Sequence, residues 1–306
     1  MIHPNFKEYL PSYYFSTINP HTAYPKLEGR LKTETCVIGG GLTGLCTALP
    51  LAENGYEVIV LEAARVGFGA SGRSGGQVIS DYACGMEEIE KQVGLEQARW
   101  FWQQSLQAVE LVDERVKTHQ IACDWQRGYA TVAIRPQHWE ELQQWHEHAR
   151  QHYDATHYQL WDKATLKQQL ASDMYLGAQF DPHSGHLHPL NYTLGIARAA
   201  AEAGAQIFEQ SPMTRIEPYQ GGWLVHTPDG SIECQNLVYA VNTYAGLHNK
   251  FKTLEKKAIA ISTFIIATEP LGERARDLIR NNMAVCDNRH VLDYYRLSAD
   301  GRLLFG

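Results

Sequence analysis

The stretch Thr35–Glu62, TCVIGGGLTGLCTALPLAENGYEVIVLE, constrains the fold more than any other part of the chain. It opens on a short apolar run, Cys36-Val37-Ile38, suited to a buried strand. Gly39, Gly41 and Gly44 follow in the spacing G-x-G-x-x-G. Leu42, Leu45, Cys46 and Leu49 then recur at the spacing of one helical face, and Gly55 closes that segment. A second apolar run, Val58-Ile59-Val60-Leu61, ends at Glu62, 18 positions beyond Gly44. The pattern is a βαβ unit with an acidic residue at the end of its second strand. In such a unit the first glycine permits a tight turn, the second lets backbone approach a pyrophosphate, and the third lets helix and strand pack closely. Leu42 and Thr43 open the helix, whose free N–H groups favour phosphate. Glu62 can accept hydrogen bonds from a ribose diol and would repel a 2′-phosphate. The stretch therefore predicts a dinucleotide site. Pro50 falls inside the helical segment and removes the hydrogen bond to the Cys46 carbonyl, at a typical cost of ~3 kcal/mol. A kink near Cys46–Pro50 is expected.

The loop behind this unit extends the prediction. Between Gly67 and Gly76 lie five glycines, two serines and Arg73. Such a loop presents many backbone donors to a ligand, and it follows the ribose strand directly.

Composition limits the alternatives. The 306 residues suffice for two domains, and 44% are hydrophobic, enough for a substantial core. The net charge is −7 and no Lys/Arg-rich run occurs, which argues against nucleic acid or an anionic membrane surface as partner. The six cysteines are scattered without a C-x-x-C pair, as in a reduced, cytoplasmic setting. The N-terminus lacks the basic and apolar regions of a signal peptide. No apolar run reaches the ~18 residues needed to cross a bilayer.

Taken in order, residues 1–34 read as an aromatic, Pro-containing arm. Residues 86–118 read as helices with a stripe of Leu106, Val109, Val112 and Val116. Cys123–Arg135 reads as a hairpin bent at Gly128. Helices over 137–152 and 162–171 and a strand over 177–181 follow. His183, His186 and His188 resemble metal ligands, but no cysteine or carboxylate pair accompanies them, so no metal is expected. A helix over 189–203 leads to strands at 205–208, 214–218, 223–227, 231–234 and 236–241, with Asp229-Gly230 as a turn. Residues 258–268 read as a long strand. A helix over 271–282 and a hairpin of 291–297 with 302–305 finish the chain.

Several segments, IGGGLTGL, VIVLEAARVGFGASGRSGGQ, GHLHPLN, LVYAVNTYAG and LDYYRLSADGRLLFG, resemble the FAD-dependent amine oxidases of the D-amino-acid oxidase class. The likeness is strongest to the branch that acts on gamma-glutamylputrescine, and it runs from about Thr33 to Gly306. SGRSGGQ and LDYYRLSADGRLL are its specific parts. The resemblance implies an α/β (α+β two-domain) fold, with a Rossmann-like FAD-binding domain split in sequence and an antiparallel-sheet substrate domain. The matching boundaries are an N-terminal arm over 1–34, an FAD-binding domain over 35–82 and 185–255, and a substrate domain over 83–184 and 256–306.

The resemblance further implies that FAD is bound non-covalently. Gly39, Gly41 and Gly44 would hold its pyrophosphate and Glu62 its adenosine ribose, with Ala63 and Arg65 nearby. Ser71, Arg73, Gly75, Gly76 and Gln77 would continue toward the flavin. Met213 takes the place where family members bind adenine through backbone, and Asn242 that of a small residue close to FAD. Tyr294 and Tyr295 would line the amine site, and Arg296 would meet a substrate carboxylate. The implied reaction oxidises a primary amine to an aldehyde, by hydride transfer to flavin N5, imine hydrolysis and reoxidation by oxygen or another acceptor. Family members continue for roughly a quarter of their length past Gly306, so the resemblance implies a substrate domain incomplete at its C-terminus. Two other readings are open at this point: an NAD-linked dehydrogenase, which Glu62 permits, and a truncated, non-catalytic binding remnant.

Overall fold

The structure is a computed structural model that describes residues 8–247, 259 and 261–306. The chain divides into two compact units. The first comprises Met1–Ser74, His119–Cys123 and Pro189–Ser262; the second comprises Gly75–Thr118, Asp124–His188 and Thr263–Gly306.

The first unit is built on a six-stranded sheet. Strand β1 (Gly29–Ile38) pairs in parallel with β2 (Val58–Leu61) on one side and with the later strand β10 (Gly230–Tyr239) on the other. Strand β7 (Gln206–Phe208) extends the parallel part beyond β2, and β9 (Gly222–His226) and β8 (Arg215–Tyr219) add an antiparallel edge. The order is β7-β2-β1-β10-β9-β8. All four residues of β2 are buried, as expected for a strand covered on both faces. On one face, helices α2 (Leu42–Glu53) and α7 (Pro189–Glu202) pack together. Leu27, Ile38, Ile59, Val225 and Ile232 belong to a second cluster.

Two features of this unit depart from the sequence pattern. β1 starts at Gly29, inside the segment expected to be an arm, because Gly29–Thr33 pairs in register with Gly230–Cys234. The stretches 231–234 and 236–241 are one strand, not two, since β10 runs unbroken from Gly230 to Tyr239. Helix α2 is continuous through Pro50, which lies in its last turns, and the Asn54 N–H donates to the Pro50 carbonyl at 3.1 Å.

The second unit is an eight-stranded sheet with helices. Strands β4 (Gln126–Ala133), β6 (Gly177–His186), β12 (Ala284–Asp287) and β13 (Tyr294–Leu297) form its centre. Strands β3 (Gln77–Val78), β14 (Leu303–Phe305) and β11 (Ile266–Ala267) complete the order β11-β14-β13-β12-β4-β6-β3, and β5 (Gln159–Asp162) also pairs with β6. The sheet is mixed rather than purely antiparallel, because β12 pairs with β4 in parallel. Gly128 does not turn a hairpin. It sits within β4 at φ +114°, where the register against β6 shifts between Arg127 and Tyr129, so it makes a bulge. The long strand expected over 258–268 is reduced to Ile266–Ala267; residues 258 and 260 lie outside the described residues, and 261–265 form no strand.

Helices α3 (Met86–Val93), α4 (Leu95–Thr118) and α5 (Pro136–Tyr153) supply a second core in this unit. Its centre is Trp102, 1% exposed, surrounded by Trp145, Tyr153, His157 and Tyr158. The aromatic run 100–102 is thus split. Trp102 points inward and Trp100 is exposed, since adjacent helical positions face different ways. No described helix is long and apolar enough to cross a membrane. Trp102→Ala should destabilise the second unit by about 3–5 kcal/mol through the cavity it leaves; chemical denaturation that shows a change under 1 kcal/mol (a surface-like response) would contradict this packing.

Candidate functional site

The glycine turn of the first unit is shaped by what it cannot hold. Gly39 follows β1 at φ +113°, and a Cβ there would collide with the Ala240 carbonyl. The turn is pinned on both sides, with Gly39 N–H donating to Leu61 O at 2.7 Å and Ala240 N–H to Ile38 O at 2.8 Å. A Cβ on Gly44 would collide with the Gly39 carbonyl and lie 3.1 Å from Val37 Cγ1, so helix and strand touch backbone to backbone. Gly41 is the N-cap of α2 and offers no side-chain cap. A Cβ there would lie 2.8 Å from Ser71 Oγ, and that hydroxyl accepts the Leu42 N–H at 2.9 Å. The head of α2 has no cap from its own N-cap residue, one N–H held by Ser71 and no acidic residue in its first turn, an arrangement that favours an anion.

Glu62 closes the cradle from the end of β2. Its carboxylate accepts the Gly40 N–H at 2.7 Å and the Ala64 N–H at 2.8 Å. Burial pushes its pKa up, the backbone N–H groups of Ala64 and Gly40 oppose that shift, and the charge of Glu209 adds to it. The segment after Glu62 is tightly held. Ala63 is exposed. Arg65 donates to Glu8 through Nε at 3.0 Å and Nη2 at 2.8 Å, and to Glu209 through Nη1 at 2.9 Å. Gly67 N–H donates to Gly40 O at 2.9 Å, which ties the second glycine loop to the first.

The other expected cofactor residues of this unit lie in the loops after β2 and β10, in the first turn of α2 and against the sheet core. Ser71 and Leu42 meet as described, and Thr43 lies in the first turn of α2. Arg73 donates to Gly69 O at 3.2 Å and lies over the Phe68 ring at 5.6 Å. Met213 packs against the core of the sheet, and Asn242, at φ +49°, begins a short 3-10 turn just past β10. The contacts of Glu209 with Arg65 and Val66 were not legible in the sequence. The signal for Glu209 is an acidic residue directly after an apolar strand, the same position that Glu62 holds after β2.

The remaining expected residues belong to the second unit. Gly75 is packed against Tyr294, whose Cε2 would lie 2.8 Å from a Cβ there. Gly76 accepts the Leu187 N–H at 2.8 Å, and Gln77 Nε2 donates to Val285 O at 3.3 Å. Strand alternation separates the two tyrosines. Tyr294 packs with Tyr129, Ala284 and Cys286, whereas Tyr295 enters the opposite core, donates to Tyr175 Oη at 2.8 Å and stacks on Phe305. Arg296 is 4% exposed and neither a surface ion pair nor open to solvent. It donates to the carbonyls of Gly75 at 2.7 Å, Leu187 at 2.9 Å and Leu297 at 3.2 Å. So the structure brings Tyr294 and Arg296 to the Gly75 loop and leaves Tyr295 in the core.

Arg296 also acts on two buried histidines. His186 and His188, 2% and 3% exposed, are both held down to about 4 by burial first and the Arg296 charge second. His183 lies 3.6 Å from Glu110, and His186 Nε2 pairs with the Asn282 carbonyl at 2.8 Å. Among the described residues no group of three or more His, Cys, Asp or Glu is arranged to hold a metal ion.

The bare cradle at Gly39, Gly41 and Gly44, closed by an acidic group on the same turn, fits a dinucleotide with an unphosphorylated ribose. The comparisons with known proteins agree. A family model described as FAD dependent oxidoreductase matches residues 34–306. A Haemophilus influenzae protein named "Probable oxidoreductase OrdL" is 45% identical over 309 residues, covering 100% of this chain and 72% of that protein. The gamma-glutamylputrescine oxidoreductase of Escherichia coli is 38% identical, covering 98% of this chain and 70% of its own length. The crystal structure of glycine oxidase from Geobacillus kaustophilus superposes with a TM-score of 0.70 at 18% identity, covering 90% of this chain and 71% of that one.

Two outcomes are expected. Gly39→Val places a branched side chain at positive φ against the Ala240 carbonyl, so the purified variant should lose bound FAD by absorbance; full retention would contradict the cradle. His186 and His188 take up protons near 6.5 when unfolded but only near 4 when folded. The unfolded state thus binds more protons in between, and stability, full above pH 6.5, is lost as pH falls toward 4, by up to roughly 3 kcal/mol for each imidazole. A melting temperature flat across that window, or unchanged in slope in His186→Gln, would contradict it.

Proposed function

The chain belongs to the FAD-dependent oxidoreductase family, whose members are enzymes that bind FAD, and on that premise we propose that it oxidises a primary amine, with gamma-glutamylputrescine as substrate. Membership decides for FAD over an NAD-linked reading of the same glycine turn. The observation that carries the substrate proposal is the 38% identity to gamma-glutamylputrescine oxidoreductase across 98% of this chain.

Within this reading each residue has a physical task. Gly39, Gly41 and Gly44 leave the space for the FAD pyrophosphate, and the head of α2 supplies its N–H groups. Glu62 accepts from the adenosine ribose, with Ala63, Arg65, Met213 and Asn242 in the adenosine part of the site. Ser71, Arg73, Gly75, Gly76 and Gln77 serve the remaining length of the cofactor. Bound FAD supplies the two-electron acceptor for the amine C–H bond, and the protein supplies position and electrostatics.

On the substrate side, Tyr294 presents an aromatic face that excludes water and favours the neutral amine. Tyr295 supports it from below as a core residue. Arg296 donates to three carbonyls and so shapes the Gly75 loop, and we assign it that positioning task. Molecular oxygen or another small acceptor completes the turnover. The six cysteines are all free thiols, which supports a reducing, cytoplasmic setting.

The test is anaerobic titration of the FAD-loaded protein with gamma-glutamylputrescine, putrescine and glycine. Gamma-glutamylputrescine should bleach the visible flavin band at the lowest concentration. Bleaching by glycine in preference to it, or by none of the three, would contradict the assignment.

A further inference from the structure

Glu209 follows the last residue of β7 and is 2% exposed. A buried carboxylate is costly unless its oxygens are fully engaged. Here they are. One oxygen accepts the Val66 N–H at 2.7 Å; the other accepts Arg65 Nη1 at 2.9 Å and the Tyr24 N–H at 3.2 Å. Two of these three donors lie in the segment that directly follows Glu62.

The surrounding bonds converge on that segment. Glu62 N–H donates to Phe208 O at 2.8 Å, Ser211 N–H to Glu62 O at 2.9 Å and Gln210 N–H to Ala64 O at 2.9 Å. From the N-terminal side, Glu8 takes two bonds from Arg65 and one from Gln210 at 2.9 Å, and Tyr9 Oη donates to Val66 O at 2.7 Å. The turn that carries Glu62 is thus gripped by residues 208–211 and by the arm, with Glu209 as the one buried charge in the grip.

We propose that Glu209 is a positioning residue for nucleotide binding, holding Arg65 and Val66 so that the Glu62 carboxylate stays on the Gly40 N–H at the head of α2. The inference rests on Glu62 being the ribose ligand of the proposed function. Besides holding the turn, Glu209 acts on Glu62 electrostatically. The charged or titratable groups around this turn are Glu209, Arg65, Glu8 and Tyr9, and among them the Glu209 charge raises the Glu62 pKa. Removing that charge lets Glu62 ionise at lower pH.

Calorimetric titration of ADP into the apoprotein, repeated from acid to neutral pH, separates these effects. Wild-type protein should bind ADP, with affinity falling on the acid side as Glu62 protonates. Glu209→Gln should bind about tenfold or more weakly at neutral pH, and its acid limb should move to lower pH. Unchanged affinity overturns the proposal, and so does weaker binding with an unmoved limb, since a purely structural residue would do that. If Glu209→Gln does not fold, Glu8→Gln decides instead. Its side chain is 63% exposed, and loosening Arg65 should weaken ADP several-fold; no loss overturns the proposal. Wild-type protein that binds neither ADP nor FAD overturns the cofactor assignment itself, which is a separate failure.

Discussion

The contact between Gly44 and the Gly39 carbonyl is what the rest of the first unit depends on. With no Cβ in the way, α2 lies directly on the end of β1. That approach brings the head of the helix beside the Leu61–Glu62 strand end, where Gly40 meets the Glu62 carboxylate at 2.7 Å. Any larger residue at position 44 would push the helix off the strand and open the turn. The glycines therefore act less as flexible joints than as missing volume. Their absence of side chains creates the close packing and leaves the room that the proposed pyrophosphate site needs.

Two buried charges hold loops in this structure. Glu209 grips the turn after Glu62, and Arg296 binds three carbonyls around the Gly75 loop. Each is nearly inaccessible to solvent, and each bonds to backbone groups, Glu209 alongside its ion pair with Arg65. Such bonds to charged groups are stronger than neutral ones and fix geometry in the absence of regular secondary structure.

The fold class and the tight glycine turn were legible because periodicity and glycine spacing report local geometry directly. The βαβ unit from Thr35 to Glu62 and the return of its partner strand after residue 230 follow from patterns within a few residues. Gly128 was not legible, since a glycine in a strand reads alike as a bend or a bulge, and only the pairing of β4 with β6 decides. Residues 261–265 carry a strand-like composition yet form no strand there, which composition cannot foresee. Arg296 illustrates a different limit. An arginine after two tyrosines suggests an anion on the substrate, but two of the three carbonyls it serves belong to residues more than a hundred positions away. Glu209 was missed for the same reason, because its partners Arg65 and Tyr24 are distant in sequence.

In the function we propose, the Gly39–Gly44 turn and Glu62 together make an FAD site. Titrating FAD into the apoprotein while following the quenching of flavin fluorescence tests it most directly. Saturation at one FAD per chain, with Glu62→Ala binding much more weakly, is the predicted result. No quenching by wild-type protein, or equal binding by Glu62→Ala, would contradict the account.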